Sequence, residues 1–431
     1  MKKSKEKAET TKIDSLTTAE LKTMLKAISH TASAKHPELD DLVYIEACPS
    51  SQTLTFSTND GVKCSRAMTV VPSGTIDRVR KLCVKFSAFA GFVGIEDSEK
   101  KTFDNEDSRI VFEITDDKLM LHGQGAKASR SLKIPKYCNE MLLPEFARDE
   151  TDIIFSFRAA SFLLTLNAVA TAAAKDENRF ALHGVCLRFT ASEETLTLCA
   201  TDGHTCSEYE LGFSSENSNP PCVDCEFLFS LESTEALQKA LKNAKDESRL
   251  TLNFRQNGEY KTGFFEFIAK GGNEVSLALP VTNAKFPQTA HLFDDFLKYP
   301  ETAVVRADSD VLSGMLTQLK KSAVREPGKS IKVEFSKMEK EETILLSDVS
   351  ETYEASISAK LLSETSIPEN ATDSRFNPEK LATALEAFGG GDVCLCFNGK
   401  AENRLLITKP ADLSRPLVSE HRRILMGQRK D

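Results

Sequence analysis

No stretch of this chain approaches the roughly 20 consecutive apolar residues that a membrane-crossing helix needs, which argues against helical membrane spans. The motif G-x-x-x-x-G-K-[ST] is missing, and with it the backbone cradle for nucleotide phosphates. A second C-x-x-C is missing too. Cys222-Val-Asp-Cys225 stands alone, and one pair supplies at most half of a four-ligand zinc site. There is no excess of positive charge: 64 acidic residues against 55 Lys and Arg give a net charge of −9. A surface that is basic all over, made for gripping nucleic acid, is excluded, although a local basic face is not. The first residues, "MKKSKEKAETTKIDS", lack the apolar core of a secretory signal. Residues 1–11 read as a disordered tail, and the expected compartment is the cytoplasm.

The 431 residues, with 40% hydrophobic and 28% charged side chains, can bury several cores without disulfides. The eleven cysteines are scattered, and Cys64, Cys186, Cys199, Cys394 and Cys396 fall in strand-like runs. There they read as small buried hydrophobes in a reducing compartment. No cofactor and no metal is expected.

The dominant feature is repetition. "LVYIEACPSSQTLTFSTNDGVKCSRAMTVV", "GVCLRFTASEETLTLCATDGHTCSEYELGF" and "SIKVEFSKMEKEETILLSDVSETYEASISAKLL" share one pattern. Each has an alternating strand, a polar turn, a second strand, a small polar pair with aspartate, and a longer strand. The anchoring residues Asp60, Asp202 and Asp348 lie 142 and 146 positions apart. An amphipathic helix precedes each set, with Leu21, Met24, Leu25 and Ile28, then Phe162, Leu163, Leu166 and Val169, then Leu312, Met315, Leu316 and Leu319 on one face. A second helix follows at "FSAFAGFVG", "STEALQKALKNA" and "NPEKLATALEAF", the last opened by Asn377 and Pro378. Further strands close each unit. The expected fold is α+β, with two helices packed on antiparallel sheets in each of three tandem units. The expected boundaries are 12–150, 151–293 and 294–431.

Candidate chemistry concentrates at "LCATDGHTCSEYEL". Asp202, His204 and Cys206 could cluster around a turn as orienter, base and nucleophile, but triad members normally come from separate elements. The other reading is structural, with Asp202 organising a turn and Gly203 permitting it. "AFGGGD" follows a helix and reads as a helix end and turn. Lysines trail acids on several helices: Lys22 and Lys26 after Glu20, Lys239 and Lys242 after Glu235, Lys320 and Lys321 after Asp310, Lys380 after Glu379. The helix dipole alone favours that order. From the residues themselves, a solvated face and a basic stripe turned to an acidic partner remain equally open.

"RFALHGVCLRF…LTLCATDGHTC" resembles the second domain of bacterial sliding clamps, the DNA polymerase III beta subunit family, at Arg179, Phe180, Leu182, Gly184, Ala200, Thr201, Asp202, Gly203 and His204. "NAKFPQTAHLF" resembles the run closing that domain, and "FNPEKLATALEAFGGGDVCLCFNG" the last helix and strand of the third. The resemblance spans nearly the whole chain and implies three tandem DNA-clamp domains that form a head-to-tail homodimer ring. It implies a non-catalytic processivity factor that encloses duplex DNA without reading its sequence. The implied DNA-facing residues are Lys22, Lys26, Lys35, Arg179, Phe180, Lys239, Lys242, Lys320 and Lys321.

By the same resemblance, partners such as the polymerase III catalytic subunit and the clamp loader would insert Gln-x-x-Leu-Phe-like peptides into a groove. Its implied lining is Leu182, Thr201, Gly203, His204, Cys206, Pro287, His291, Leu292, Ile424, Met426, Gln428 and Arg429. The family has arginine and leucine where Thr205 and Cys206 stand, and arginine where His291 stands, so a retuned docking site is expected. Ring closure is implied between Lys127, Arg130 and Lys133 on one copy and Asp348, Glu351 and Glu354 on the next. The competing reading is a clamp-fold interaction protein, or a specialised second clamp, that does not serve the main replicase.

Overall fold

The structure is a computed structural model. It describes residues 10–32, 41–94, 109–124, 129–137, 143–144, 146, 153–257, 260–297, 302–322, 331–337, 342–348, 354–362, 374–397, 404–409 and 419–426. The element order repeats three times along the chain. The first series is β1 (Thr11–Thr17), α1 (Thr18–Ile28), β2 (Leu42–Cys48), β3 (Thr53–Asn59), β4 (Cys64–Val70), β5 (Arg80–Lys85), α2 (Phe86–Val93), β6 (Arg109–Ile114), β7 (Lys118–Gln124) and β8 (Ser129–Pro135). The second is β9 (Ile153–Arg158), α3 (Ala159–Ala170), β10 (Gly184–Thr190), β11 (Thr195–Thr201), β12 (Thr205–Leu211), β13 (Cys225–Ser230), α4 (Leu231–Leu241), β14 (Arg249–Asn257), β15 (Tyr260–Ile268) and β16 (Glu274–Thr282). A connecting helix α5 (Ala290–Leu297) follows. The third is β17 (Ala303–Asp308), α6 (Ser309–Ser322), β18 (Ile331–Lys337), β19 (Glu342–Asp348), β20 (Glu354–Ser358), a short β21 (Lys360–Leu361), β22 (Ser374–Phe376), α7 (Pro378–Glu386), β23 (Asp392–Phe397), β24 (Arg404–Thr408) and β25 (His421–Met426).

Pairing repeats with the order. With the short β21 left out of the count, in each series the fifth strand pairs with the second, and the second, third and fourth form a meander: β5–β2–β3–β4, β13–β10–β11–β12 and β22–β18–β19–β20. The first strand pairs with the sixth, followed by the seventh and eighth: β1–β6–β7–β8, β9–β14–β15–β16 and β17–β23–β24–β25. All of these ladders are antiparallel. Two further ladders join successive series, each between a fourth strand and the next eighth strand: β4 with β16, and β12 with β25.

By proximity the chain forms two compact units. The first holds Met1–Leu163, Phe213–Pro220 and Glu235–Val281, and the second holds Leu164–Gly212, Pro221–Thr234 and Thr282–Asp431. Each unit therefore contains one of the two joining ladders. In the first, Phe56, Phe89 and Phe112 pack with ring centroids 5.6 to 6.1 Å apart at the centre of the core. In the second, Leu312, Leu316, Leu381 and Leu385 from α6 and α7 pack on Val393, Leu395, Leu405, Ile407 and Leu425.

The helix faces read from the sequence are the buried ones. Leu21, Met24, Leu25 and Ile28 are closed off from solvent, as are Phe162, Leu166 and Val169. Leu163 and Met315 are half-buried, and the side chain of Leu319 lies outside the described residues. Local chemistry sets the helix starts. Thr17 and Glu20 form a capping box on α1, with Glu20 N donating to Thr17 Oγ1 at 3.2 Å and Thr17 N to Glu20 Oε2 at 2.9 Å. Asn377 caps α7 by accepting from Glu379 N and Lys380 N at 2.9 and 3.1 Å, with Pro378 in first position. Gly389, Gly390 and Gly391 all take positive φ after α7, and Gly391 N donates to Asp310 Oδ2 at 3.0 Å. The glycine run ends a helix and holds a turn.

Candidate partner-binding site

The Asp202, Gly203 and His204 constellation is a strand junction. Asp202 sits between β11 and β12, where Gly203 has φ +85°, a left-handed conformation that favours glycine. Asp202 Oδ1 accepts from His204 N at 2.8 Å, Thr205 N at 2.7 Å and Thr205 Oγ1 at 3.1 Å. Its Oδ2 takes the Lys380 ammonium at 2.8 Å, and Arg179 Nη1 donates to its backbone carbonyl at 2.9 Å. Burial pushes this carboxyl upward, but Lys380 and the two backbone amides together outweigh it and hold it below the ordinary carboxylate range. In the other unit Asp60 does the same: Oδ1 accepts from Val62 N and Lys63 N at 2.9 and 2.6 Å, next to Gly61 at φ +93°. The side chain of Asp348 lies outside the described residues.

Asp202→Ala is expected to lower unfolding free energy by about 2 kcal/mol, and Asp202→Asn, which keeps the turn acceptor, by about half that. Urea midpoints at unchanged m-value read the difference. Equal losses for the two would show that the Lys380 ion pair alone matters.

The arrangement removes the ingredients of a nucleophile. Cys206 is 2% exposed, and burial pushes its thiol well above the ordinary range, with Glu208 adding to the rise. An attacking thiolate needs the opposite shift. His204 offers its backbone amide to Asp202 and its carbonyl to Met426 N at 2.8 Å, and the residue is solvent-exposed.

Of the expected groove positions, Thr201, Cys206, Ile424 and Met426 lie on β11, β12 and β25, and Pro287, His291 and Leu292 lie in the segment that follows β16. Cys206 lies opposite Ile424, and both belong to a buried cluster with Phe293, Phe296, Val304 and Leu406. Leu292 packs half-buried against that cluster. Thr201 is buried beneath the turn, its hydroxyl donating to Thr205 O at 2.6 Å and accepting from Gly203 N. Gly203, Pro287, His291 and Met426 reach solvent, and Leu182 is half-buried. Gln428 and Arg429 lie outside the described residues. Of the expected docking positions, Cys206 and Ile424 thus belong to an apolar floor, and Gly203, Pro287, His291 and Met426 are exposed.

Of the positions expected to face DNA, Lys26, Lys239 and Lys242 are exposed and Lys22 is half-buried. Phe180 is 74% exposed beside Arg179. Lys320 and Lys321 end α6 with side chains outside the described residues, and Lys35 falls outside altogether. Lys380 is committed to Asp202. Among the residues expected to close a ring, Arg130 and Lys133 lie in β8, Lys133 exposed, while Asp348 ends β19 and Glu354 begins β20. Lys127 and Glu351 lie outside the described residues. Among the described residues no three His, Cys, Asp or Glu side chains gather as metal ligands, and no helix is long and apolar enough to cross a membrane.

The sequence reading missed two buried charged groups on the floor's strands, Glu208 on the floor's own face and Arg423 on the opposite one. Glu208 and Arg423 are 5% and 1% exposed. Arg423 Nη1 donates to Thr171 Oγ1 at 2.7 Å, and burial lowers its pKa to about 10. Their only sequence signal is charge within an otherwise alternating strand, which a solvent-facing position would also show.

Three tandem β-α-β-β-β-β-α-β-β-β series, joined fourth strand to eighth, define the sliding-clamp fold. Solved structures with that fold include the DNA polymerase III beta subunit of Thermotoga maritima (TM-score 0.71, 20% identity, 98% of this chain and 100% of that one). They also include the beta subunit of Pseudomonas aeruginosa (TM-score 0.72, 14% identity, 98% and 100%) and the sliding clamp of Bacillus subtilis (TM-score 0.71, 14% identity, 99% and 100%). No family model matches the sequence. No curated protein matches it either. The chain has the fold of DNA polymerase III beta subunits at a sequence distance where the fold is what is shared.

Proposed function

We propose that this protein is a DNA sliding clamp: a homodimeric ring of six domains, 12–150, 151–293 and 294–431 in each copy, that encloses duplex DNA and tethers a polymerase. The observation that carries the reading is the joining rule. Both joining ladders pair a fourth strand with an eighth strand. The rule leaves β20 and β8 over, each at the edge of its sheet. β8 carries Arg130 and Lys133, and β20 starts at Glu354. Opposite sign at two unmatched edges favours pairing between copies, head to tail, and a closed ring removes the exposed edges. Each ion pair contributes little, so the ladder itself supplies most of the closure. A Pseudomonas aeruginosa clamp has been solved with griselimycin bound, and a Caulobacter crescentus clamp with polyethylene glycol at a region assigned to tethering. The Cys206–Ile424 floor, with Pro287, His291 and Met426 exposed, suits a short apolar peptide.

A second reading is a clamp-fold interaction protein that does not encircle DNA. It draws on α3, which carries no charged residue in its first or last turn and exposes Leu164 at 72%. One experiment separates the two. Loaded on nicked circular DNA and washed with rising salt, a closed ring stays on the circle and leaves after linearisation. Phosphate-only binding weakens steeply with salt on both forms. Equal loss from circular and linear DNA would sink the topological reading.

A further inference from the structure

We propose that Glu208 is a positioning residue that anchors the connecting segment forming one wall of the peptide groove, an inference resting on the groove reading above. Glu208 lies on β12 two residues beyond Cys206, on the same face of the sheet, and is 5% exposed. Its Oε1 accepts from Thr289 Oγ1 at 2.8 Å and lies 3.9 Å from Arg188 Nη1 and 3.9 Å from Cys199 Sγ. Its Oε2 lies 3.6 Å from Arg422 Nη2, on the cross-strand residue of β25.

The two arginines extend the grip along the segment. Arg188 donates from Nη2 to Pro287 O at 3.4 Å, and its guanidinium lies 5.8 Å from the ring centre of buried Phe286. Arg188 Nε is fixed by Glu226 at 2.9 Å. Arg422 lies 5.4 Å from the ring centre of buried Phe293. One closed-off carboxylate thus ties Phe286, Pro287, Thr289 and Phe293 to the joining ladder. Pro287, His291 and Leu292 are carried on that segment. Removing the carboxylate takes the acceptor from Thr289 and a charged neighbour from Arg422 and Arg188, while Arg188 stays held by Glu226, so the Thr289–Phe293 part of the wall slackens most.

The other unit shows the same device with the sign reversed. Arg66 on β4 holds the position 142 residues before Glu208. Its guanidinium lies 4.4 Å from the ring centre of Phe146, in the segment linking the first two series, with Glu266, Glu274 and Glu46 as its charged surroundings. A charged fourth-strand residue reaching the following linker occurs at both joining ladders, independently of any groove.

The test uses the full-length protein and a fluorescein-labelled peptide containing Gln-Ala-Ala-Leu-Phe. Glu208→Gln is expected to weaken peptide binding about ten-fold and to speed amide exchange at residues 284–293 while the β10–β11 ladder keeps its protection. Thr289→Val, which deletes a single hydroxyl, guards against misfolding of the first variant and is expected to shift both readouts in the same direction by less. Wild-type affinity in both variants overturns the inference, as does an exchange increase spread evenly over the whole unit. If the wild-type protein itself fails to bind the peptide, the groove reading falls, and the exchange readout still decides whether Glu208 anchors the segment.

Discussion

Gly184→Ala is expected to destabilise the protein by about 3 kcal/mol or more. A Cβ built at Gly184 meets the backbone carbonyl oxygen of Phe229 at 2.0 Å and its carbon at 2.9 Å. Both belong to the paired strand β13, in which Ser230 faces Gly184 and Phe229 faces Val185. A side chain could rotate away, but a ladder carbonyl cannot, so the two strands must separate. The glycine of "RFALHG" is therefore required by the close approach of a second backbone. Gly212→Ala is the control. Nothing lies within 4 Å of its Cβ, and the change is expected to stay within about 0.5 kcal/mol. Urea unfolding of both variants reads the difference. A Gly184→Ala protein as stable as Gly212→Ala would mean that β10 and β13 do not pair as described.

Mild acid is expected to destabilise each unit through one buried histidine. His421 is 6% exposed, stacked 4.1 Å from the Phe388 ring and 5.1 Å from Tyr209, with Nε2 3.1 Å from Ser207 Oγ. Burial lowers its pKa to about 3, and Arg423 and Lys409 push the same way. In the other unit, His30 Nε2 lies 3.2 Å from Ser65 Oγ, and its pKa is lowered to about 3 by burial first, then Lys239 and Lys63. The residue as a whole is part exposed while its Nδ1 is closed off from water. The folded state keeps both rings neutral, whereas the unfolded chain protonates them near pH 6.5. Stability is therefore full above about pH 6.5 and falls as the pH drops toward 3, by about 1.4 kcal/mol per pH unit for each ring. At pH 5 each unit has lost about 2 kcal/mol. His421→Gln keeps a partner for Ser207 and does not titrate. It is expected to flatten the pH 5 to 7.5 stability slope of the unit that contains it and to leave the other unchanged. Identical slopes in wild type and variant would show that His421 is not held neutral by the fold.

Much of this fold was legible before any coordinates. The 142- and 146-residue spacing of Asp60, Asp202 and Asp348 marked a repeat, and apolar periodicity marked which helix faces turn inward. Those signals are local, because period and turn chemistry act within a few residues. The turn role of Asp202 belongs here as well: an aspartate before a glycine at a strand end closes on its own following amides. Lys380 shows where that reading stops. On the sequence it trails Glu379 like any lysine on a solvated or DNA-facing helix, whereas in the fold it reaches Asp202, 178 positions away. Cys206 was legible as a departure at the docking site, but its place in the floor depends on Ile424 across a ladder between distant strands.

The sequence by itself determined the three-fold order of strands and helices, their inward faces, and the turns that link them. Only the tertiary structure decided that a fourth strand joins the next eighth strand, that Glu208 and Arg66 reach the linkers that follow, and that His30 and His421 lose their water. The physical reason is that pairing register, desolvation and buried charge depend on which distant backbones come together, and a hydrophobic pattern of period two or 3.6 says which face is buried without saying against what.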